Sequence, residues 1–300
     1  MSKIQEALKK LQRDGSPPDA ELSRLLKKRG FGVGDQRSAV PLAPRKRVTP
    51  DGPRHHVDQD ALIADGVLAP LDNALNVADE FRRIKRPIIK TALNNMGHAS
   101  EHMNVIMLAS AMPGAGKTFC SVNLAVSISL ERELNVLLVD ADVAKPHISP
   151  AFGLGEKPGL IELRVDDSAS IEELLIRTDL NDIQVLPAGR THPQATELLA
   201  SKRMSQIVDE LATRYPDRII LVDSPPLLIT SEAQALASQV GQIALVVEAG
   251  ITNHQTLLQA VEVLDSQKAV NVILNKSRHY TQKGHYGGYG YYGYEGYEGA

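Results

Sequence analysis

The chain has 300 residues, 43% of them apolar, a formal net charge of −3 and one cysteine, Cys120. That length allows one or two domains with a buried core, the charge balance argues against bulk nucleic-acid binding, and a lone cysteine excludes an intramolecular disulfide framework. No run reaches the ~18 to 20 apolar residues of a bilayer-spanning helix, and the opening MSKIQEALKKLQRDG lacks the apolar core of a signal peptide, so a cytoplasmic protein is expected.

Ile4, Ala7, Leu8 and Leu11 fall at i, i+3, i+4 and i+7. Residues 1–30 are therefore expected to be an amphipathic helical segment, with a second short helix over Glu21 to Lys28. The first helix is too short to stand alone and needs its own domain or a partner to pack on. Residues 31–75 are rich in Gly, Pro and charge, with a basic run Arg45-Lys46-Arg47. That composition buries little, so a linker is expected there.

Residues 76–278 carry the pattern of a single α/β domain. A helix is expected over Val77 to Leu93, interrupted at Pro87. The following HASEH, His98 to His102, has the His-x-x-Glu-His spacing of some zinc peptidases. It follows Gly97 and abuts the first strand, so it is read as linker or helix end. From Asn104 onward, the apolar runs NVIMLAS, NVLLVD, IQVLPAG, RIILVD, QIALVVEAG and AVNVILN read as strands buried on both faces, as in a parallel sheet. Helical segments lie between most of them. Three are expected to start with a capping box, at Ser170–Glu173, Ser231–Gln234 and Thr252–Gln255. The fold class expected is α/β, a mostly parallel sheet with helices on both faces, and the AMPGAGKT loop after the first strand makes it a P-loop NTPase.

The chemistry concentrates at three places. The first strand runs into AMPGAGKT, Ala111 to Thr118, and then into a helical pattern. Strand, glycine loop, Gly-Lys-Thr and helix together make a phosphate-binding loop. Gly114 and Gly116 let the backbone curl so that its amides face phosphate oxygens, and the helix start adds its positive dipole end. Lys117 supplies a cation for the β- and γ-phosphates, and the Thr118 hydroxyl suits magnesium. The position of the usual first glycine is Ala111. Cys120, inside the next helix, is expected in the core.

The second place is LLVDADVAKP, where a strand ends in Asp140 and Asp142. Alternation along an extended backbone puts both carboxylates on one side, facing the crevice beyond the strand's carboxyl end. The third is LVDSPP, where four apolar residues lead to Asp223, the Walker B arrangement of a carboxylate beside magnesium. One acid of the pair 140/142 can serve as base toward an incoming hydroxyl, and the residues alone leave the choice open.

With AMPGAGKT, LLVDADVAKP and LVDSPP in this order and a tyrosine-rich end, the chain resembles the bacterial tyrosine kinases of exopolysaccharide biosynthesis. The form nearest to EFRRIKRP, DADVAKPH and the tail is the exosortase-associated autokinases. The resemblance covers roughly Val77 to Ala300 and implies a magnesium- and ATP-dependent protein tyrosine autokinase. It implies nucleotide contacts from Pro113, Gly114, Ala115, Gly116, Lys117, Thr118 and Phe119, with Asn275 near adenine. Thr118, Asp142 and Asp223 would hold magnesium, and Lys117, Asp140, Asp142 and Asp223 would carry catalysis. The family's Asp-x-Asp-x-Arg pattern has Ala144 at the arginine position here, with Lys145 following.

The same resemblance gives Glu80, Arg83 and Arg86 a role in self-association, on one helical face by their spacing of three. It implies a homo-oligomer that phosphorylates itself between subunits, a transmembrane polysaccharide chain-length partner that activates it at the inner membrane, and an opposing tyrosine phosphatase. No nucleic-acid partner is expected. A partitioning-type ATPase of the same broad fold is the alternative. Those proteins carry a lysine just after the first P-loop glycine, where this chain has Met112.

Residues 279–300 form a tyrosine- and glycine-rich tail, read as disordered. Tyr286, Tyr289, Tyr291, Tyr292, Tyr294 and Tyr297 lie in GHYGGYGYYGYEGYEGA and are the expected phosphoacceptors; Tyr280, nearer the domain, is the weaker candidate. A Gly-rich chain of ~15 residues has an end-to-end distance on the order of 20 Å, enough to carry a phenol to a nearby site.

Overall fold

The computed structural model describes residues 53–70, 74–94, 102–165, 169–190, 197, 199–214, 218–266 and 268–277. The N-terminal helix expected within residues 1–30, the tail tyrosines and most of HASEH lie outside them.

Among the described residues seven strands form one sheet: β1 (Val105–Ser110), β2 (Asn135–Asp140), β3 (Ile176–Arg177), β4 (Gln184–Leu186), β5 (Arg218–Asp223), β6 (Gln242–Glu248) and β7 (Ala269–Asn275). Their order is β3-β4-β2-β5-β1-β6-β7, parallel throughout except that β3 runs antiparallel to β4. The expected sheet is present, and only the two-residue β3 has no counterpart among the expected strands. β1 alternates between two cores. Val105, Met107 and Ala109 face one, together with Leu211 and Leu236. Ile106 and Leu108 face the other, together with Phe81, Ile88 and Leu124. Side chains that alternate faces, all of them apolar, require helices on both sides.

The helices are α1 (Gln59–Ala64), α2 (Ala74–Asn94), α3 (Lys117–Ser129), the four-residue α4 (Ile148–Ala151), α5 (Glu162–Val165) and α6 (Ile171–Leu174), then α7 (Lys202–Arg214), α8 (Ser231–Gln239) and α9 (His254–Glu262). α2 does not break at Pro87. Phe81, Lys85, Ile88 and Ala92 are buried at i, i+4, i+7 and i+11, on both sides of the proline. That packed stripe outweighs the one donor that proline removes.

Two of the three expected capping boxes shift by one residue. Ser170 caps α6 as expected, accepting from Glu173 N. α8 is capped by Thr230 rather than Ser231, and α9 by Asn253 rather than Thr252. In each case two cap-competent residues are adjacent. Thr252 is drawn off, its hydroxyl accepting from Glu248 N, and Gln234 donates to Leu227 O instead of closing a box.

The linker expected over 31–75 does not extend to 75. Within it, Val57, Leu62 and Val67 are buried in the core shared with α3. Asp58 caps α1, and His55 bridges to the strand-end residue Thr178. Val57 N donates to Asp179 Oδ1 at 2.9 Å, and Asn123 on α3 takes both Val67 O and Ala69 N. Anchors spaced about five residues apart fit neither the 3.6 period of a helix nor the 2.0 period of a strand, so the segment shows no clear element pattern despite its ALIA and VLA runs. Each anchor still contributes about 1.5–3 kcal/mol when fully buried.

Candidate active site

β1 ends at Ser110, and α3 begins at Lys117. The loop between them turns through Gly114 at φ +87° and Gly116 at φ +89°, a region that favours glycine. Gly116 is the N-cap position of α3 and supplies no side-chain acceptor, so the first amides of α3 are not capped by its side chain. That is the arrangement a helix start needs to receive an anion.

Lys117 is buried, and its Nζ donates to Ser110 Oγ at 3.3 Å. Ser110 Oγ in turn donates to Met112 O at 2.6 Å. Burial pulls the lysine below its ordinary pKa, against the opposing charges of Asp223 and Asp142. One residue on, Thr118 Oγ1 donates to Asp223 Oδ2 at 2.7 Å, and Ser121 Oγ donates to Asp223 Oδ1 at 3.1 Å. Burial pushes Asp223 up to about 7, with the Asp140 charge adding to it and the hydroxyls and Lys117 opposing.

Asp140 and Asp223 are register partners at the ends of β2 and β5. Asp140 is fully buried, and Ser149 at the start of α4 donates twice to its Oδ2, from N and from Oγ, each at 2.7 Å. Ser149 Oγ also accepts from Ala188 N at 2.9 Å. Asp140 Oδ1 is buried and accepts no hydrogen bond from the described residues. Burial raises its pKa, against the Ser149 bonds. Asp142 lies just beyond the end of β2 and is half-buried, its carboxylate taking Lys145 N at 3.3 Å. Its pKa is also raised by burial, with Lys117 opposing. Cys120 is buried as expected, and its thiol is pushed up to about 12, which makes it inert.

The structure thus gathers Lys117, Thr118, Asp140, Asp142 and Asp223 at the carboxyl ends of β1, β2 and β5. Thr118 and the carboxylates are hard oxygen donors, the set a divalent cation of the magnesium type takes. Three acids held partly out of water around one ammonium carry an excess of negative charge that such a cation would offset.

Asn275 is placed against the loop. Its Nδ2 donates to Ala115 O at 2.8 Å, and a Cβ on Gly116 would collide with that nitrogen. Phe119 packs its ring against Phe81 of α2, centroids 6.1 Å apart. Glu80, Arg83 and Arg86 are all exposed on α2, away from the buried Phe81–Lys85–Ile88 stripe. Three serines around the site, at 110, 121 and 149, were not singled out in the sequence. Ser121 was findable, because it lies three residues after Thr118 on the same helix face. Ser149 reaches Asp140 only through the turn after β2, which carries no local pattern. His102 does not stand on a helix. It has φ +47°, and its ring nitrogens lie 3.1 Å from Gln239 O and Asp209 Oδ1.

A sequence profile of the AAA domain matches residues 103–275. The tyrosine-protein kinase YwqD of Bacillus subtilis is 32% identical over 204 residues, covering 66% of this chain and 84% of that protein. The putative tyrosine-protein kinase EpsB of Ralstonia nicotianae is also 32% identical, over 167 residues, covering 56% of this chain but 21% of that much longer protein. The solved kinase domain of Escherichia coli tyrosine kinase ETK superposes with a TM-score of 0.62 at 23% identity, over 89% of this chain and 98% of that one, a likeness of fold.

Proposed function

The chain belongs to the bacterial tyrosine-protein kinases, and from that premise we propose that it transfers the γ-phosphate of ATP to tyrosines of its own C-terminal tail. The observation that carries the reading is the convergence of Lys117, Thr118, Asp223 and Asp140 at one end of the sheet. Asp140 is pinned through one oxygen and, among the described residues, unpartnered at the other.

Each residue then has a task. The loop amides and Lys117 bind phosphate oxygens and neutralise charge as it shifts in transfer. Thr118, Asp142 and Asp223 hold magnesium, which when bound offsets charge on the phosphates. Asp140 takes the phenol proton. Ser149 fixes its Oδ2, which leaves Oδ1 as the acceptor, and burial raises the carboxylate's affinity for a proton. Tyr286, Tyr289, Tyr291, Tyr292, Tyr294 and Tyr297 are the acceptors, within reach on a glycine-rich chain.

Self-association through the exposed Glu80, Arg83 and Arg86 would present one subunit's tail to its neighbour. Each phosphate adds about −1.5 to −2 charge. A multiply phosphorylated tail repels the acidic site and itself, so phosphorylation loosens the assembly and a phosphatase resets it. No helix among the described residues is long and apolar enough to cross a membrane. The setting proposed is the cytoplasmic face of the inner membrane, reached through a transmembrane partner that governs polysaccharide chain length.

The test is incubation of the purified full chain with γ-labelled ATP and magnesium. Label on the tail supports the reading. Label released only as free phosphate would show an ATPase instead.

A further inference from the structure

The phosphate loop is gripped from outside by Asn275, the last residue of β7, and by Lys276, which follows it. Asn275 Nδ2 donates to Ala115 O, and Lys276 Nζ donates to Gly114 O, each at 2.8 Å. Lys276 is anchored on its other side by Glu248 Oε1, 3.0 Å away at the end of β6. The peptide bonds here are trans. In a planar trans peptide, C=O and N–H point in opposite directions. A donor fixed on Gly114 O therefore aims the N–H of Ala115 to the far side, and a donor on Ala115 O aims the N–H of Gly116. These are amides that a phosphate loop must keep facing its ligand. Gly114 and Gly116 leave the intervening peptide planes free to rotate unless something outside the loop holds them.

The backbone of Lys276 adds an independent sign. It lies at φ +58°, in the left-handed region where Gly and Asn are at ease and a long side chain is disfavoured. Ending a strand does not require a lysine in that conformation. Strain kept at such a position points to a role for the side chain, and the bond to Gly114 is the role on view.

We propose that Lys276, anchored by Glu248 and seconded by Asn275, is a positioning residue of the nucleotide site. Its ammonium holds the Gly114–Ala115 peptide so that the loop amides face phosphate before nucleotide arrives. The proposal rests on the nucleotide site of the function above and not on transfer to tyrosine.

The test measures Mg-ADP affinity by calorimetry, together with Tm, on the full chain. Lys276→Met and Lys276→Gly each raise Kd about tenfold, the size of a lost charge-assisted hydrogen bond. Lys276→Gly does so with Tm equal to or above that of the unaltered protein, because glycine relieves the left-handed backbone. Lys276→Arg recovers most of the affinity, and Glu248→Gln loses part of it. In steady state, KM for ATP rises more than kcat falls. If Lys276→Gly and Lys276→Met bind Mg-ADP as tightly as the parent, or if arginine fails to rescue, the lysine is merely structural and the proposal is overturned. A parent protein that binds Mg-ADP but labels no tyrosine contradicts the kinase reading alone.

Discussion

Two lysine ammoniums are buried at opposite ends of α3, and they are partnered in opposite ways. At the carboxyl end, Lys85 from α2 donates to Ser127 O at 2.5 Å and pairs with Glu131 at 2.7 Å. It sits where the helix dipole is negative and a cation is welcome. At the amino end, Lys117 has one hydroxyl at 3.3 Å and faces the positive end of the same dipole. A buried charge paired with both an acid and a carbonyl holds a structure together. An under-partnered one at the unfavourable helix end makes sense when an anion joins it. Asp140 repeats the contrast within a single carboxylate, one oxygen satisfied and the other without a hydrogen bond from the described residues.

The comparison is broken most decisively at Lys117. Lys117→Met is expected to lower tail phosphorylation by at least about 10³-fold. Tm should fall less than on altering Lys85, since Lys117 makes one long hydrogen bond and the acids beside it can take up protons when it is removed. A fall in Tm as large as that caused by altering Lys85 would erase the distinction. Lys85→Ala is expected to do the reverse. Urea unfolding should show a loss of about 1–3 kcal/mol, from a stranded carbonyl and lost packing, while Mg-ADP affinity moves less than about threefold.

Those two lysines also mark how far the sequence could be read. Lys117 was legible because its context is local: strand, glycine loop and helix follow one another in a short stretch. Lys85 was not, because its partners Ser127 and Glu131 lie far along the chain: its spacing from Phe81 and Ile88 marks the buried face, but nothing local supplies the partners a buried ammonium needs. The parallel sheet was legible because its central strands are apolar on both faces. The 53–70 segment was not, because its anchors Val57, Leu62 and Val67 fit neither a helical nor a strand period and follow a long Gly-, Pro- and charge-rich run. Pro87 and the shifted caps at Thr230 and Asn253 have a common cause: local preference proposes a boundary, and packing or a competing acceptor moves it by a residue or erases it. Asn275 could be placed at a strand end from sequence. Its grip on Ala115 O, across 160 residues, could not.

Asp140 sharpens the comparison at smaller amplitude. Ser149→Ala removes the donors' side-chain half and lets the carboxylate turn. It is expected to lower kcat about tenfold with little change in Mg-ADP affinity, measured by single-turnover transfer. An equal loss in affinity would make Ser149 a folding residue rather than an orienting one.

The smallest effect is on pH. Asp223 titrates at about 7 in the fold, against an ordinary value of 3.8. Between those values it is protonated when folded and ionised when unfolded, so its contribution is full below about 4 and is lost as pH rises through 7. The unliganded domain should therefore lose stability from this group toward pH 8. Magnesium competes with that proton, so the rise in Tm given by Mg-ADP should grow between pH 6 and pH 8. Asp223→Asn should flatten the growth. A rise that is independent of pH in the unaltered protein would mean that Asp223 does not exchange its proton for the metal.

The central claim is that a poised phosphate site serves the chain's own tyrosines. Mass spectrometry of the purified full chain after incubation with ATP and magnesium tests it most directly, with Lys117→Met, freed of other kinases, treated identically. Phosphate on several of Tyr286, Tyr289, Tyr291, Tyr292, Tyr294 and Tyr297 in the unaltered protein, and on none in the variant, is the predicted result. An unmodified tail in the active protein, or a fully phosphorylated one in Lys117→Met, would contradict it.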